Sequence, residues 1–440
     1  MDHHQDAPMA SPAKRKTRMR TRINQTAPLL PQELCDLIIK YATGNPRVVR
    51  ACSLVCRAWS QSARVHLFRR LPVAPPGWKS ALRFFEQPAR TCGFLPLVQT
   101  LAISGDIQRI ALVNSVTWLK TLAERVDELT GVTTIELEAL SQELETETWG
   151  YLWSYPPFSA QITSLTMHRD VIFPNLCALT AFVAQLSNLR ILATDCLSVH
   201  DPTGCECLAP PPHLHRLKVT SFAGWETWLQ AADTHTLRSL ELFGILERDS
   251  YQSLHRYIST PGVQLDYLEL PLNPQGVTDL LAMGPLPAHS VVRTVCLKDL
   301  VVCMNANMLT VYAPSAFWHV ELVSTVLRMF GPSLRRAALV LAWELPPYTY
   351  TANELALSTT AAAASWRAID SLVAHGDTTK HPPLQRFTVV LATRMEPRTF
   401  RTSRTKEIIQ GYMTECQARD ILKFRDYLKE DMWIRGVIQE

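Results

Sequence analysis

The chain has 440 residues, a formal net charge of +4, 47% hydrophobic and 19% charged residues. That length allows one large core or two to three domains, and the composition is ordinary for a globular protein. The small positive excess gives no reason to expect a nucleic-acid partner. The longest apolar run, Ala337 to Trp343, is too short to span a membrane.

The first residues are polar, and no apolar core of a secretory signal follows them. Eleven cysteines are scattered singly. Both features lead us to expect reduced thiols in a cytoplasmic or nuclear protein. Residues 1–27 are polar and basic, with Lys14, Arg15, Lys16, Arg18, Arg20 and Arg22 close together. They are expected to be a disordered tail, and the basic run reads either as a nuclear localisation signal or as a solvated segment.

Residues 28–72 are helical in pattern. Pro31 suits the opening of a helix, where its missing N–H would lack a partner anyway. Leu34, Ile38 and Tyr41 follow at i, i+4 and i+7 on one face. Gly44, Asn45 and Pro46 break that helix. Cys52, Val55, Cys56, Trp59 and Ala63 then recur at three and four residues, widened by Leu54 and Ala58, and a third segment carries Val65, Leu67, Phe68 and Leu71. Pro72, Pro75, Pro76 and Gly77 close the module, and 73–96 reads as a linker. Three short helices bury little surface, so the module should gain by packing on something else.

From 97 to 340 one motif recurs: apolar-x-x-apolar-x-apolar. Its copies are Val98–Leu101–Ile103, Val132–Ile135–Leu137, Ile162–Leu165–Met167, Leu189–Leu192–Thr194, Leu214–Leu217–Val219, Leu237–Leu240–Leu242, Leu265–Leu268–Leu270 and Val292–Val295–Leu297. Leu334–Ala337–Leu339 and Leu384–Phe387–Val389 are looser copies. The first eight repeat every 23 to 34 residues, close to the leucine-rich-repeat period. The last two apolar residues of each copy alternate along a short strand and point inward, while the residue between them points out. Segments such as 118–129 and 250–258 read as intervening helices. The predicted fold class is an α/β solenoid, one strand plus one helix per repeat, behind a three-helix module. Residues 341–440 read as degenerate repeats followed by C-terminal capping helices, the last an amphipathic charged helix from Arg419 onward.

No phosphate-binding loop, dinucleotide fingerprint, H-E-x-x-H or G-x-S-x-G occurs. Cys196, His200, Cys205, Cys207, His213 and His215 lie within twenty residues, but their spacing matches no standard zinc site. We read them as a polar loop, with no metal and no cofactor. Glu143, Glu145 and Glu147 read as a solvated insertion rather than an acid/base pair, since nothing apolar surrounds them to tune a pKa.

Leu30-Pro31-x-Glu33-Leu34-x-x-x-Ile38, then Cys52-Ser53-Leu54-Val55-Cys56-Arg57-Ala58-Trp59, then Leu67-Phe68-Arg69-x-Leu71, resembles the F-box. The wording is similar to the F-box-like proteins of mushroom-forming fungi, which carry divergent leucine-rich repeats behind the box. The resemblance covers about 45 residues closely. It implies a module that binds the Skp-type adaptor, and through it the cullin, of an SCF-type ubiquitin ligase. By match to the motif, the adaptor-facing residues would be Leu30, Pro31, Leu34, Ile38, Leu54, Val55, Trp59 and Leu71; for Trp59 and Ile38 a packing role is an equal alternative. The repeats would hold a protein substrate, with no catalytic residues and no membrane or nucleic acid involved. Trp149, Tyr151, Trp153 and Tyr155, with Phe158, form a dense aromatic stretch: either core under a loop or anchors for that substrate. The rival readings are a repeat scaffold that uses the box without ubiquitination and, least supported, an enzyme beyond residue 300.

Overall fold

The computed structural model describes residues 30–73, 94–104, 122, 124, 126–138, 155–168, 171–194, 198–201, 208–232, 235–243, 247–272, 274–299, 318–343, 360–376, 383–393 and 402–428. The chain divides into two compact units, Met1–Leu67 and Phe68–Glu440.

The first unit holds three helices: α1 (Gln32–Ala42), α2 (Pro46–Cys52) and α3 (Arg57–Leu67). Their limits differ from the sequence reading in two places. Asn45 and Pro46, read as a break, also start α2. The Asn45 side chain accepts hydrogen bonds from the N–H groups of Arg47 at 3.1 Å and Val48 at 3.4 Å, and Pro46 sits at the first helical turn. The single apolar stripe read from Cys52 to Ala63 is cut by a turn at Ser53–Val55, so Cys52 closes α2 while Ala63 lies in α3. The small core comprises Ile39, Val49, Cys52 and Ala63, with Ala42, Trp59 and Leu67 packed on it.

The second unit is built on twelve parallel strands in one sheet. In order these are β1 (Arg70–Val73), β2 (Thr100–Ser104), β3 (Thr134–Glu138), β4 (Ser164–Met167), β6 (Ile191–Thr194), β8 (Arg216–Val219), β9 (Ser239–Leu242), β11 (Tyr267–Leu272), β13 (Thr294–Asp299), β14 (Arg336–Trp343), β15 (Arg386–Thr393) and β16 (Leu422–Leu428). Two small parallel pairs flank it: β5 (Ile172–Asn175) with β7 (Ser198–Asp201), and β10 (Gln264–Leu265) with β12 (Val291–Val292).

The recurring motif sets the register. One row of apolar residues crosses the whole sheet: Leu71, Leu101, Ile135, Leu165, Leu192, Leu217, Leu240, Leu268, Val295, Ala337, Phe387 and Leu422. A second row lies two residues on, where Ile103 meets Leu137 and Leu137 meets Met167, and where Leu270, Leu297, Leu339 and Val389 follow one another. Period-two alternation puts both rows on one face. There they join a continuous core with the helices that return between strands: Leu179 and Val183 of α5 (Leu176–Ala184), Leu254 and Ile258 of α7 (Arg248–Ser259), Val323 and Val326 of α9 (Trp318–Met329), and Trp366 and Ile369 of α10 (Thr360–His375). Burying a side chain of this size contributes about 1.5–3 kcal/mol. A row shared by every strand therefore supplies much of what holds the unit together. The architecture is an α/β repeat arrangement on a parallel sheet.

Four expectations are corrected here. Leu71 belongs to β1 rather than to the helical module, because it stands opposite Leu101 in the sheet. The linker begins later than residue 73, since Val73 pairs with Ile103. Leu422–Leu428 is a strand, not a helix: Leu422 and Phe424 alternate with Lys423 and Arg425, which is strand periodicity, and β15 supplies the hydrogen-bonding edge, while residues 429–440 lie outside the described residues. The regular arrangement does not decay near 340, as β14, β15 and β16 extend the same sheet. The expectation of reduced thiols also fails at Cys177, on α5, which is disulfide-bonded. Cys35, Cys52, Cys56, Cys296 and Cys416 form no disulfide.

Candidate docking surface

Helix α1 is apolar on two faces. Cys35 and Ile39 point inward at i, i+4. Leu34, Leu37, Ile38 and Tyr41 are exposed at i, i+3, i+4 and i+7, a second stripe left uncovered by the described residues. Tyr41 is 83% exposed, and Leu54, in the turn after α2, is 86% exposed. Leu30, Val48, Val55 and Val65 are exposed as well. Of the eleven exposed large hydrophobic side chains among the described residues, nine lie in this small unit. Single exposed leucines need no explanation, whereas such a concentration makes this unit the candidate docking surface among the described residues.

The scaffold under the surface is held by polar contacts between α1 and α3. Gln32 Nε2 donates to Asp36 Oδ1 at 2.9 Å and to Ser62 Oγ at 2.7 Å, and the Ser62 hydroxyl donates to Asp36 Oδ1. The Ser62 hydrogen bond, then that of Gln32, holds the Asp36 carboxyl below its ordinary pKa. At the entry to α1 the Cys35 thiol donates to the Leu30 carbonyl at 3.9 Å, and the N–H groups of Leu34 and Cys35 donate to the Pro31 carbonyl at 3.1 and 3.2 Å. Leu30 and Pro31 are thus fixed to the helix start with their side chains in solvent.

Of the sequence-derived adaptor residues, Leu30, Pro31, Leu34, Ile38, Leu54 and Val55 are all exposed on the helical unit. Trp59 is half-buried and packs on the small core, and Leu71 lies in β1. Leu37, Tyr41, Val48 and Val65 join the exposed set without having been singled out as site residues. The signal for Leu37 and Tyr41 was present in α1, which carries more apolar positions than one buried stripe can use.

The aromatic stretch divides differently. Trp149, Tyr151 and Trp153 lie outside the described residues. Tyr155 is exposed just before α4 (Pro156–Gln161), while Phe158 is buried in the main core. Of the possible zinc ligands, Cys196, Cys205 and Cys207 lie outside the described residues, and His213 and His215 are exposed on either side of buried Leu214. No group of three or more His, Cys, Asp or Glu side chains placed to hold a metal occurs among the described residues. No helix among the described residues is long and apolar enough to cross a membrane.

No protein-family model and no curated protein matches the chain. Among solved structures, it is similar to a Bacteroides fragilis protein determined by a structural-genomics consortium. That likeness has 9% identity and a TM-score of 0.29, covers 80% of this chain and 72% of the other, and is too distant to bear on function.

Proposed function

We propose that this chain is the substrate-recognition subunit of an SCF-type cullin–RING ubiquitin ligase. Helices α1–α3 form an F-box that docks on a Skp-type adaptor, and the repeats form a leucine-rich-repeat-like solenoid that holds a protein substrate. The reading is carried by one observation. The exposed apolar side chains are concentrated on the helical unit, and they include six of the eight residues that the motif resemblance assigns to the adaptor. Covering half-exposed leucine, isoleucine and valine side chains contributes on the order of 1 kcal/mol each, so several together support specific association. The subunit itself does no chemistry. It acts by proximity, holding a substrate near a charged ubiquitin-conjugating enzyme and so raising its effective concentration.

The test is co-purification of the full chain with the host's Skp-type adaptor, wild type against Ile38→Ser/Leu54→Ser. Both side chains are exposed and lie outside the small core, so the variant should fold as the wild type does. The expected result is an adaptor–cullin complex with the wild type and at least tenfold weaker adaptor capture by the variant. A wild-type chain that captures no adaptor overturns the reading. Adaptor without cullin would instead indicate a scaffold that pairs with the adaptor without ubiquitination.

A further inference from the structure

The outward face of the sheet, opposite the helices, changes character along its length. Earlier in the sheet, Arg70 pairs with Glu136 at 2.8 Å, and Arg216 pairs with Glu241. At the far end the pattern breaks. On β13–β15, Cys296, Ala338, Val340 and Val390 form a separate apolar cluster with Tyr267 packed on it. Beside that cluster the register sets Thr294 opposite Arg336 and Arg336 opposite Arg386. Adjacent strands lie about 4.8 Å apart, so two guanidinium side chains leave neighbouring positions on one face. Like charges placed directly opposite repel. The outward positions of β13, β14 and β15 carry no Asp or Glu, and neither arginine has an ion-pair partner among the described residues. Moreover, Arg386 Nε is buried with no hydrogen-bond acceptor. A buried charged donor without an acceptor is costly, and an anion would satisfy it.

We propose that Arg336 and Arg386, with the Thr294 hydroxyl beside them, form a binding site for a phosphate group. Two guanidinium groups match the charge of about −1.5 to −2 on a phosphomonoester at pH 7. A carboxylate would neutralise only one of them. The planar fork of each arginine binds phosphate oxygens in pairs, and the apolar cluster alongside lowers the local dielectric and strengthens those bonds. The phosphate belongs either to a phosphorylated side chain of a partner protein or to a free phosphate compound. The site stands independently of the adaptor reading.

The experiment is calorimetric titration of the full chain with sodium phosphate, and with sodium acetate, at pH 7 and matched ionic strength. Phosphate is expected to bind saturably and more tightly than acetate. Arg336→Gln and Arg386→Gln each weaken it at least tenfold, while Arg293→Gln, whose parent arginine pairs with Asp266 at 2.8 Å, leaves it unchanged. Without phosphate, Arg386→Gln raises Tm by relieving repulsion, so lost binding cannot be mistaken for lost fold. A short peptide bearing one phosphoserine distinguishes the sources. Binding tenfold tighter than inorganic phosphate assigns the site to a phosphorylated partner, equal affinity assigns it to free phosphate compounds, and both uphold it. Phosphate binding no tighter than acetate, or unchanged in both variants, overturns the proposal.

Discussion

Asp370 and Cys416, forty-six residues apart, are joined by two hydrogen bonds that Cys416 donates: its N–H to Asp370 Oδ1 at 2.8 Å, and its thiol to the Asp370 carbonyl at 3.6 Å. The second carboxylate oxygen accepts from the Glu415 N–H at 3.0 Å. A buried carboxylate on α10 thereby caps a helix, Thr414–Ala418, that precedes strand β16. Asp370→Ala leaves two N–H groups unpaired and should cost about 1–3 kcal/mol, while Asp370→Asn keeps one acceptor and should cost less. The urea midpoint of the full chain, measured for all three, decides the order.

Burial and the same contact together suppress thiol chemistry. Burial, then the hydrogen bond to Asp370, pushes the Cys416 thiol far up from its ordinary value, so almost no thiolate exists near neutrality. Cys56 is free and exposed. Brief iodoacetamide treatment of the native chain at pH 8, followed by peptide mass spectrometry, should find Cys56 alkylated and Cys416 intact.

The apolar row makes a sharper claim about adjacent residues. Leu217 is fully buried, whereas Lys218, one position on, sits on the opposite face with its Nζ 4.4 Å from the centre of the Phe243 ring. Leu217→Ala should cost 2–5 kcal/mol, and Lys218→Ala at most about 1 kcal/mol. Equal losses in a denaturation experiment would show that the alternation does not carry the stability argued for it.

Asp36 gives the helical unit a pH response. Its carboxyl is lowered by the Ser62 and Gln32 hydrogen bonds, so its contribution to stability is present above the ordinary value of 3.8 and is lost as pH falls through the lowered one. Carbon-13 NMR of the Asp36 carboxyl should show a titration midpoint below that of the Ser62→Ala variant. Coincident midpoints would remove Ser62 as the cause.

How much of this was legible in the sequence depends on which residues carried a periodic signal. The strands at Leu214–Leu217–Val219 and its sister copies could be read because one spacing repeats and each copy is buried on the same face. Leu71 was misassigned because it follows a helix and fits the box motif, and only its partner Leu101 reveals a strand. Asn45 and Pro46 were read as a stop alone, since the residues that end one helix are the same types that begin the next. In α1, Leu34, Ile38 and Tyr41 were read as one face from their spacing, and that face points outward, while Cys35 and Ile39 face in. Arg336 and Arg386 carry no local signal at all. Their opposition exists only once β14 and β15 are paired in register.

Strand β1 is the first in the sheet and pairs only with β2 there. Its third residue is Pro72, which contributes no N–H. Proline is tolerated in a sheet at an edge, and it blunts that edge against pairing with another chain. A sheet made of near-identical strands in one register is otherwise a template that any similar strand could lengthen. Pro72 is therefore a terminator as well as a structural residue. Replacing it with valine would complete the donor row and turn the first strand into an adhesive margin for copies of itself.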